Sequence, residues 1–161
     1  MSESRKARII VIDDDEGIRK VVAEALKSEG YSVDAASNGK EAIEKSQTNF
    51  YNLALVDIRL PDMQGTQLLT SMKETTPEMV KIILTGYPAL QNAIDAVNKG
   101  ANGYLVKPIN MDELLRTVKQ HLKKQSEMKE YGQDRVAEFV ETRFKELDTL
   151  ERDTPKRTRK G

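Results

Sequence analysis

Short apolar runs punctuate the first two-thirds of the chain, at residues 8–12, 31–35, 53–57, 80–84 and 103–106. Each is too short for a globular helix and is bounded by polar or turn residues, which marks it as a buried strand. The segments between them change period. In 16–28, Ile18, Val21, Val22, Ala25 and Leu26 recur at helical spacing, and Gly30 follows as a C′ residue. Helices are likewise expected over 39–48 (Ala42 and Ile43 inward), 65–74 (Leu68, Leu69, Met72) and 111–124 (Leu114, Leu115, Val118, Leu122). Another is expected over 89–99, with Ala93, Ile94, Ala96 and Val97 inward and Gly100 closing it. Strict alternation of strand and helix predicts an α/β fold, a doubly wound parallel sheet with right-handed crossovers and helices on both faces. Five such units are too few for a closed eight-fold barrel.

The pattern changes after residue 124. Segment 125–161 has no strand signal, and Gly132 is a candidate break. Beyond it, Val136, Phe139, Val140, Phe144, Leu147 and Leu150 form an apolar stripe among Glu, Lys and Arg. The stripe could pack on its own domain, pair with a second copy or dock on a partner; Arg143 interrupts its coiled-coil spacing. Thr154–Gly161, with Lys156, Arg157, Arg159 and Lys160 around Pro155, reads as a basic, disordered end. Two parts are expected: a domain over 5–124 and a helical, charged extension over 125–161.

Composition narrows the function. The 161 residues can bury one sizeable core. Lys+Arg and Asp+Glu both total 26, so net charge draws the chain to neither nucleic acid nor membrane. The absence of cysteine excludes disulfides, thiolate catalysis and Cys-based zinc sites. No apolar stretch approaches a membrane span, and the polar start does not read as a signal peptide, so a cytoplasmic location is expected.

Candidate chemistry lies at the strand ends. Asp13, Asp14 and Asp15 follow the first strand, Asp57 ends the third, Thr85 and Gly86 follow the fourth, and Lys107 follows the fifth. In an open α/β sheet ligands bind outside the carboxyl ends of the strands. One Asp after the first strand is explained by N-capping of the next helix. Clustered carboxylates repel unless a cation offsets them, and hard oxygen donors favour Mg²⁺, Mn²⁺ or Ca²⁺. Asp57 is either a turn residue leading into Leu60-Pro61-Asp62 or a carboxylate nucleophile towards phosphorus. Thr85 is a turn hydroxyl or a donor to a phosphoryl oxygen, with Gly86 leaving room. Lys107 is a surface lysine or a point cation for phosphoryl charge. Singly each is weak; together at the strand ends they point to phosphoryl transfer.

The runs Ile-Ile-Val-Ile-Asp13-Asp14, Leu-Val-Asp57-Ile-Arg59-Leu-Pro61-Asp-Met-Gln-Gly65, Ile-Ile-Leu-Thr85-Gly86-Tyr and Gly103-Tyr104-Leu-Val-Lys107-Pro108 resemble a receiver domain, the phosphoacceptor module of two-component response regulators. The resemblance covers about residues 5–124. It implies a flavodoxin-like, chemotaxis-regulator-like sheet of order 2-1-3-4-5, to which the stripe in 125–161 adds an extra helix at the C-terminus. It implies that Asp57 accepts phosphoryl from a histidine kinase. Mg²⁺ (or Mn²⁺) would be held by Asp14, by Asp13 largely through water, by Asp57 and by the Arg59 carbonyl. Thr85 and Lys107 would contact phosphoryl oxygens, and Tyr104 would turn inward as Thr85 moves. The Lys107–Pro108 bond would be cis, a state cheap only before proline. The face formed by helix 89–99, strand 103–106 and helix 111–124 would then signal to an effector protein or drive self-association as a homodimer. Arg59 and Tyr87 would modulate access of hydrolytic water. His121, the only histidine, reads as a surface residue.

The expected protein is therefore a signalling phosphoacceptor that catalyses only its own phosphorylation and dephosphorylation. No DNA-binding pattern is found in its short tail, and direct DNA or membrane binding is not expected. One rival is a Mg²⁺-dependent phosphohydrolase with an aspartyl nucleophile, for which Asp13 and Asp15 have the right spacing but no cap domain is visible. The other is a scaffold that kept the fold without phosphorylation; the intact acidic set argues against it.

Overall fold

The computed structural model describes residues 6–75, 78–86, 95–96 and 98–153. The strands are β1 (Arg8–Ile12), β2 (Ser32–Ala36), β3 (Leu53–Asp57), β4 (Val80–Thr85) and β5 (Gly103–Val106). They form one parallel sheet in the order β2-β1-β3-β4-β5. The helices are α1 (Glu16–Ser28), α2 (Gly39–Thr48), α3 (Gly65–Thr75) and α4 (Met111–Asp153). Most of the helix expected over 89–99 lies outside the described residues, as do Tyr87 and the basic end after Asp153.

Strand side chains alternate between two cores because successive residues point to opposite faces. Ile10, Ile12, Ala54, Val56 and Ile83 meet Ala42, Leu68, Leu69 and Met72 from α2 and α3. Ile9, Val11, Leu53, Leu55, Ile82 and Leu84 meet Val22, Leu26, Leu114 and Val118 from α1 and α4. Burial on both faces is why β1, β3 and β4 are apolar apart from Lys81 and their end residues Arg8, Asp57 and Thr85. At about 1.5–3 kcal/mol per buried aliphatic side chain, these two layers are the main source of stability. Val21 departs from the expected stripe and is 58% exposed. At 100° per residue it falls roughly 90° from the midline of Ile18, Val22, Ala25 and Leu26, at the edge of the buried stripe.

Helix starts are capped by short polar side chains. Asp15 accepts from the Ile18 N–H at 3.1 Å to open α1. Asn38 accepts from the Glu41 N–H at 2.8 Å to open α2, while Glu41 accepts the Ser37 N–H at 2.8 Å. Such reciprocal caps satisfy amides that the helix itself cannot. Gly30 follows α1 with φ of 98°. Lys81, within β4, is buried and donates from Nζ to the Met79 carbonyl at 2.7 Å, which reconciles a charge with the sheet interior.

The chain divides into two compact units, Met1–Leu122 and Lys123–Gly161. Gly132 does not break α4, which is helical from Met111 to Asp153. One glycine costs about 1 kcal/mol relative to alanine, and its neighbours are helix formers with no proline among them. Within the second unit, Phe144 (68%) and Leu147 (57%) are exposed.

Candidate functional site

The parallel order brings the ends of β1 and β3 side by side, with Ile12 paired to Val56. Asp13 and Asp57 therefore leave neighbouring strands. Asp13 is fully buried, Asp57 is 7% exposed, and Asp14 faces solvent. Carboxylate oxygens of Asp13, Asp14 and Asp57 lie within 4.8 Å of one another.

Several contacts hold Asp13. Its N–H donates to the Ala36 carbonyl at 3.1 Å, and its Oδ1 accepts from the Asp15 N–H at 3.0 Å. Its own carbonyl accepts from Arg19 Nη1 at 2.8 Å. The remaining oxygen, Oδ2, accepts from Lys107 Nζ at 2.9 Å. The same ammonium lies 3.5 Å from Asp57 Oδ2, and Asp57 Oδ1 accepts from the Arg59 N–H at 3.3 Å.

These contacts set the electrostatics. Burial, then the charge of Asp13, pushes the Asp57 carboxyl up to about 6; Lys107 and the Arg59 N–H act in the opposite direction. For Lys107, burial opposes the charged form. The hydrogen bond and charge of Asp13, with the charge of Asp57, outweigh it and raise the ammonium above the ordinary lysine value.

β4 and β5 supply the other wall. Thr85 is fully buried at the end of β4, and its carbonyl accepts from the Lys107 N–H at 2.7 Å. Gly86 is exposed, and a Cβ there would meet nothing within 4 Å among the described residues. The Lys107–Pro108 bond is cis. Tyr104 pairs with Ile83 on β4 and packs against the α2–α3 side core, with its hydroxyl buried. His121 lies away from these residues, with Nε2 3.3 Å from the position of a Cβ added at Gly103.

The donor set suits a hard divalent cation: three carboxylates, one of them open to water, close enough to share one ion. The Lys107 ammonium on the inner oxygens leaves the arrangement electrostatically mixed, with carboxylates and a cation side by side. A buried carboxylate with a raised pKa beside a fixed cation is the type of group that functional sites use.

Three contributors have no role assigned from sequence, although Asp62 and Gly65 stand within the receiver-like run. Arg19 reaches back to the Asp13 carbonyl, and Asp62 and Gly65 shape the loop after Asp57. A Cβ on Gly65 would lie 2.5 Å from the Asp57 carbonyl oxygen. Asp62 accepts from the N–H groups of Gly39 and Lys40, both at 2.9 Å, and these bonds hold its carboxyl below the usual range. Contacts across 22 and 23 residues leave no local signature.

The comparisons agree with this architecture. Residues 9–119 match the response regulator receiver domain model. The chain is 35% identical over 114 residues, 71% of its length, to the transcriptional regulatory protein ZraR of Klebsiella oxytoca, and spans 26% of that protein. It is 32% identical over 141 residues to the transcriptional regulatory protein SrrA of Staphylococcus aureus, covering 87% of this chain and 58% of that one. It thus spans only about a quarter to a little over half of these curated relatives. A crystal structure of a CheY-like receiver domain protein from Methanospirillum hungatei JF-1 superposes with a TM-score of 0.75 at 40% identity, covering 77% of this chain and 99% of that one. With the sheet order, the strand-end carboxylates and these matches in agreement, the chain belongs to the response regulator receiver domain family.

Proposed function

We propose that this chain is a phosphoacceptor switch in which Asp57 takes a phosphoryl group from the phosphohistidine of a histidine kinase. The observation that carries the reading is the convergence of Asp57, Asp13, Asp14 and Lys107 at the ends of three strands. An Asp57 carboxylate oxygen attacks phosphorus, the P–N bond breaks, and its electron pair returns to the imidazole nitrogen. An acyl phosphate results. Attack of water on phosphorus later releases inorganic phosphate and restores the carboxylate.

Asp13, Asp14, Asp57 and the main-chain carbonyl of Arg59 are the groups that would hold Mg²⁺ or Mn²⁺. Such an ion, when bound, neutralises charge on the phosphoryl oxygens. Lys107 is positioned to follow the transferred group as a point cation, exchanging a carboxylate partner for a phosphoryl oxygen. Thr85 offers a hydroxyl, and Gly86 keeps the approach open. Movement of Thr85 and a repacking of Tyr104, whose hydroxyl is already buried in this conformation, would couple the charge change to the face carrying β5 and the start of α4. The signal then passes to a protein effector or to self-association, and the setting proposed is the cytoplasm. The phosphohydrolase alternative is weakened by Asp13: it is fully buried and its oxygens are held at 2.9 and 3.0 Å, whereas the contacts on Asp57 are looser, at 3.3 and 3.5 Å.

Intact mass after incubation with Mg²⁺ and acetyl phosphate tests the proposal. An adduct of about 80 Da in the wild type, absent in Asp57→Ala, is the expected result. An adduct retained in Asp57→Ala but lost in Asp13→Ala would transfer the nucleophile's role to Asp13.

A further inference from the structure

We propose that Asp62 is a positioning residue for the divalent-cation site, latching the loop between β3 and α3 onto the first turn of α2. The inference rests on the functional reading above and extends it to a residue outside the strand-end set. Both oxygens of the Asp62 carboxylate are used, one on the Gly39 N–H and one on the Lys40 N–H, each at 2.9 Å. These amides belong to the first turn of α2, where the helix offers no acceptor of its own and favours negative charge.

Met63 adds a packing contact to the same latch. A Cβ on Gly39 would lie 2.4 Å from Met63 Sδ, so the thioether occupies the space that a side chain at residue 39 would need. The loop itself is internally stiff. The Leu60 N–H donates to the Met63 carbonyl at 3.2 Å, the Gly65 N–H donates to the Ile58 carbonyl at 2.7 Å, and Arg59 bridges to Gln64. A stiff loop fixed at Asp62 is fixed at Arg59 as well.

The same corner of the molecule also holds the other acidic loop. The Asp13 N–H donates to the Ala36 carbonyl at 3.1 Å, three residues before Gly39. Asp13 and Arg59 thus share one anchor, the segment from Ala36 to Lys40. Loss of the Asp62 latch releases the Arg59 side of that frame and leaves the Asp13 side in place. Arg59, Pro61 and Asp62 are exposed, so besides the packing of Leu60 and Met63 on the core it is the Asp62 carboxylate that ties this loop to α2.

The test is Mg²⁺ affinity of the full chain, measured by calorimetry for the wild type, Asp62→Ala, Asp62→Asn and Asn38→Ala. A loop that occupies the competent position only a third of the time weakens apparent affinity about threefold. Asp62→Ala should show that loss, with faster amide exchange at Gly39 and Lys40, and Asp62→Asn should fall between it and the wild type. Asn38→Ala removes the Asn38 cap of α2 without touching the latch. It should lower the urea midpoint yet bind Mg²⁺ as the wild type does. Unchanged affinity in Asp62→Ala, or equal loss in Asn38→Ala, overturns the inference. A wild type that binds no Mg²⁺ overturns the cation reading of the whole site, and this inference with it.

Discussion

Lys107 Nζ lies 2.9 Å from Asp13 Oδ2, closer than the 3.5 Å that separates it from Asp57 Oδ2. In this conformation the lysine is chiefly the counter-charge of a fully buried aspartate. Lys107→Ala leaves Asp13 with one hydrogen bond to its carboxylate, from Asp15. Breaking a buried pair costs 3–5 kcal/mol in general, and partial exposure of the lysine brings the expected loss to about 2–3 kcal/mol. Mg²⁺ should then raise the urea midpoint of Lys107→Ala more than that of the wild type, because the ammonium no longer competes for the carboxylates. An equal increment in the two proteins would mean that lysine and cation use different oxygens.

Asp57 makes stability depend on pH. Its folded pKa of about 6 lies above the ordinary 3.8. Between these values the folded state binds more protons than the unfolded chain, so stability falls as pH rises and levels off above about pH 6. At about 1.4 kcal/mol per unit, the cost above that window is on the order of 3 kcal/mol. Asp57→Asn removes it. The stability difference between Asp57→Asn and the wild type should grow from pH 4 to 6 and then stay flat in denaturant titrations without divalent cations. Glu41 and Asp62, whose carboxyls are lowered, lose stability on acidification in both proteins and cancel in the difference. Mg²⁺ should shrink the difference, since a cation favours the charged carboxylate.

Gly65 is held by backbone on both sides. Its added Cβ would meet the Asp57 carbonyl oxygen at 2.5 Å and the Ile58 Cα at 2.8 Å, atoms that cannot swing aside. Gly65→Ala should therefore cost about 1–3 kcal/mol and displace Asp57, lowering both thermal midpoint and acetyl-phosphate reactivity. Gly17→Ala is the matched control. Its nearest neighbour is the Asp15 side chain at 3.3 Å, and helix propensity favours alanine by up to about 1 kcal/mol. Equal losses in the two variants would exclude the steric account.

Much of this site is legible in the chain because strand ends announce themselves. A run such as Leu53-Ala54-Leu55-Val56 has no use for a carboxylate, so Asp57 stands out, and parallel topology then brings it to Asp13. Thr85 shows how far this goes: its position is readable, but its inclusion in β4 rests on register with Val106 and on the Lys107 N–H donating to its carbonyl, which sequence does not specify. Asp62 and Arg19 are not legible, because an exposed aspartate in a turn and an arginine on a helix are ordinary in isolation. Their importance comes from partners fixed by tertiary structure. Val21 and Gly132 mislead for a related reason. Apolarity says nothing about which side of a helix a residue occupies, and a lone glycine is a weak stop inside a 43-residue helix.

The Tyr104 hydroxyl is buried and, among the described residues, finds no hydrogen-bond partner. A hydroxyl removed from water without compensation costs about 1–3 kcal/mol. Removing it alone should therefore be favourable: Tyr104→Phe keeps the ring against the α2–α3 side core and should raise stability by about 1 kcal/mol. Chemical denaturation of the unphosphorylated protein measures this directly. Tyr104→Ala is the contrasting variant, and should lose about 3 kcal/mol because the ring's packing goes with it. If Tyr104→Phe were instead destabilised, the hydroxyl would have to be satisfied in solution. If it is stabilised, the tyrosine sits in a conformation that its own hydroxyl disfavours, and an alternative state that supplies a partner would be reached at lower cost. That is the energetic condition which the proposed switch places on a side chain that moves with the phosphorylation state of Asp57.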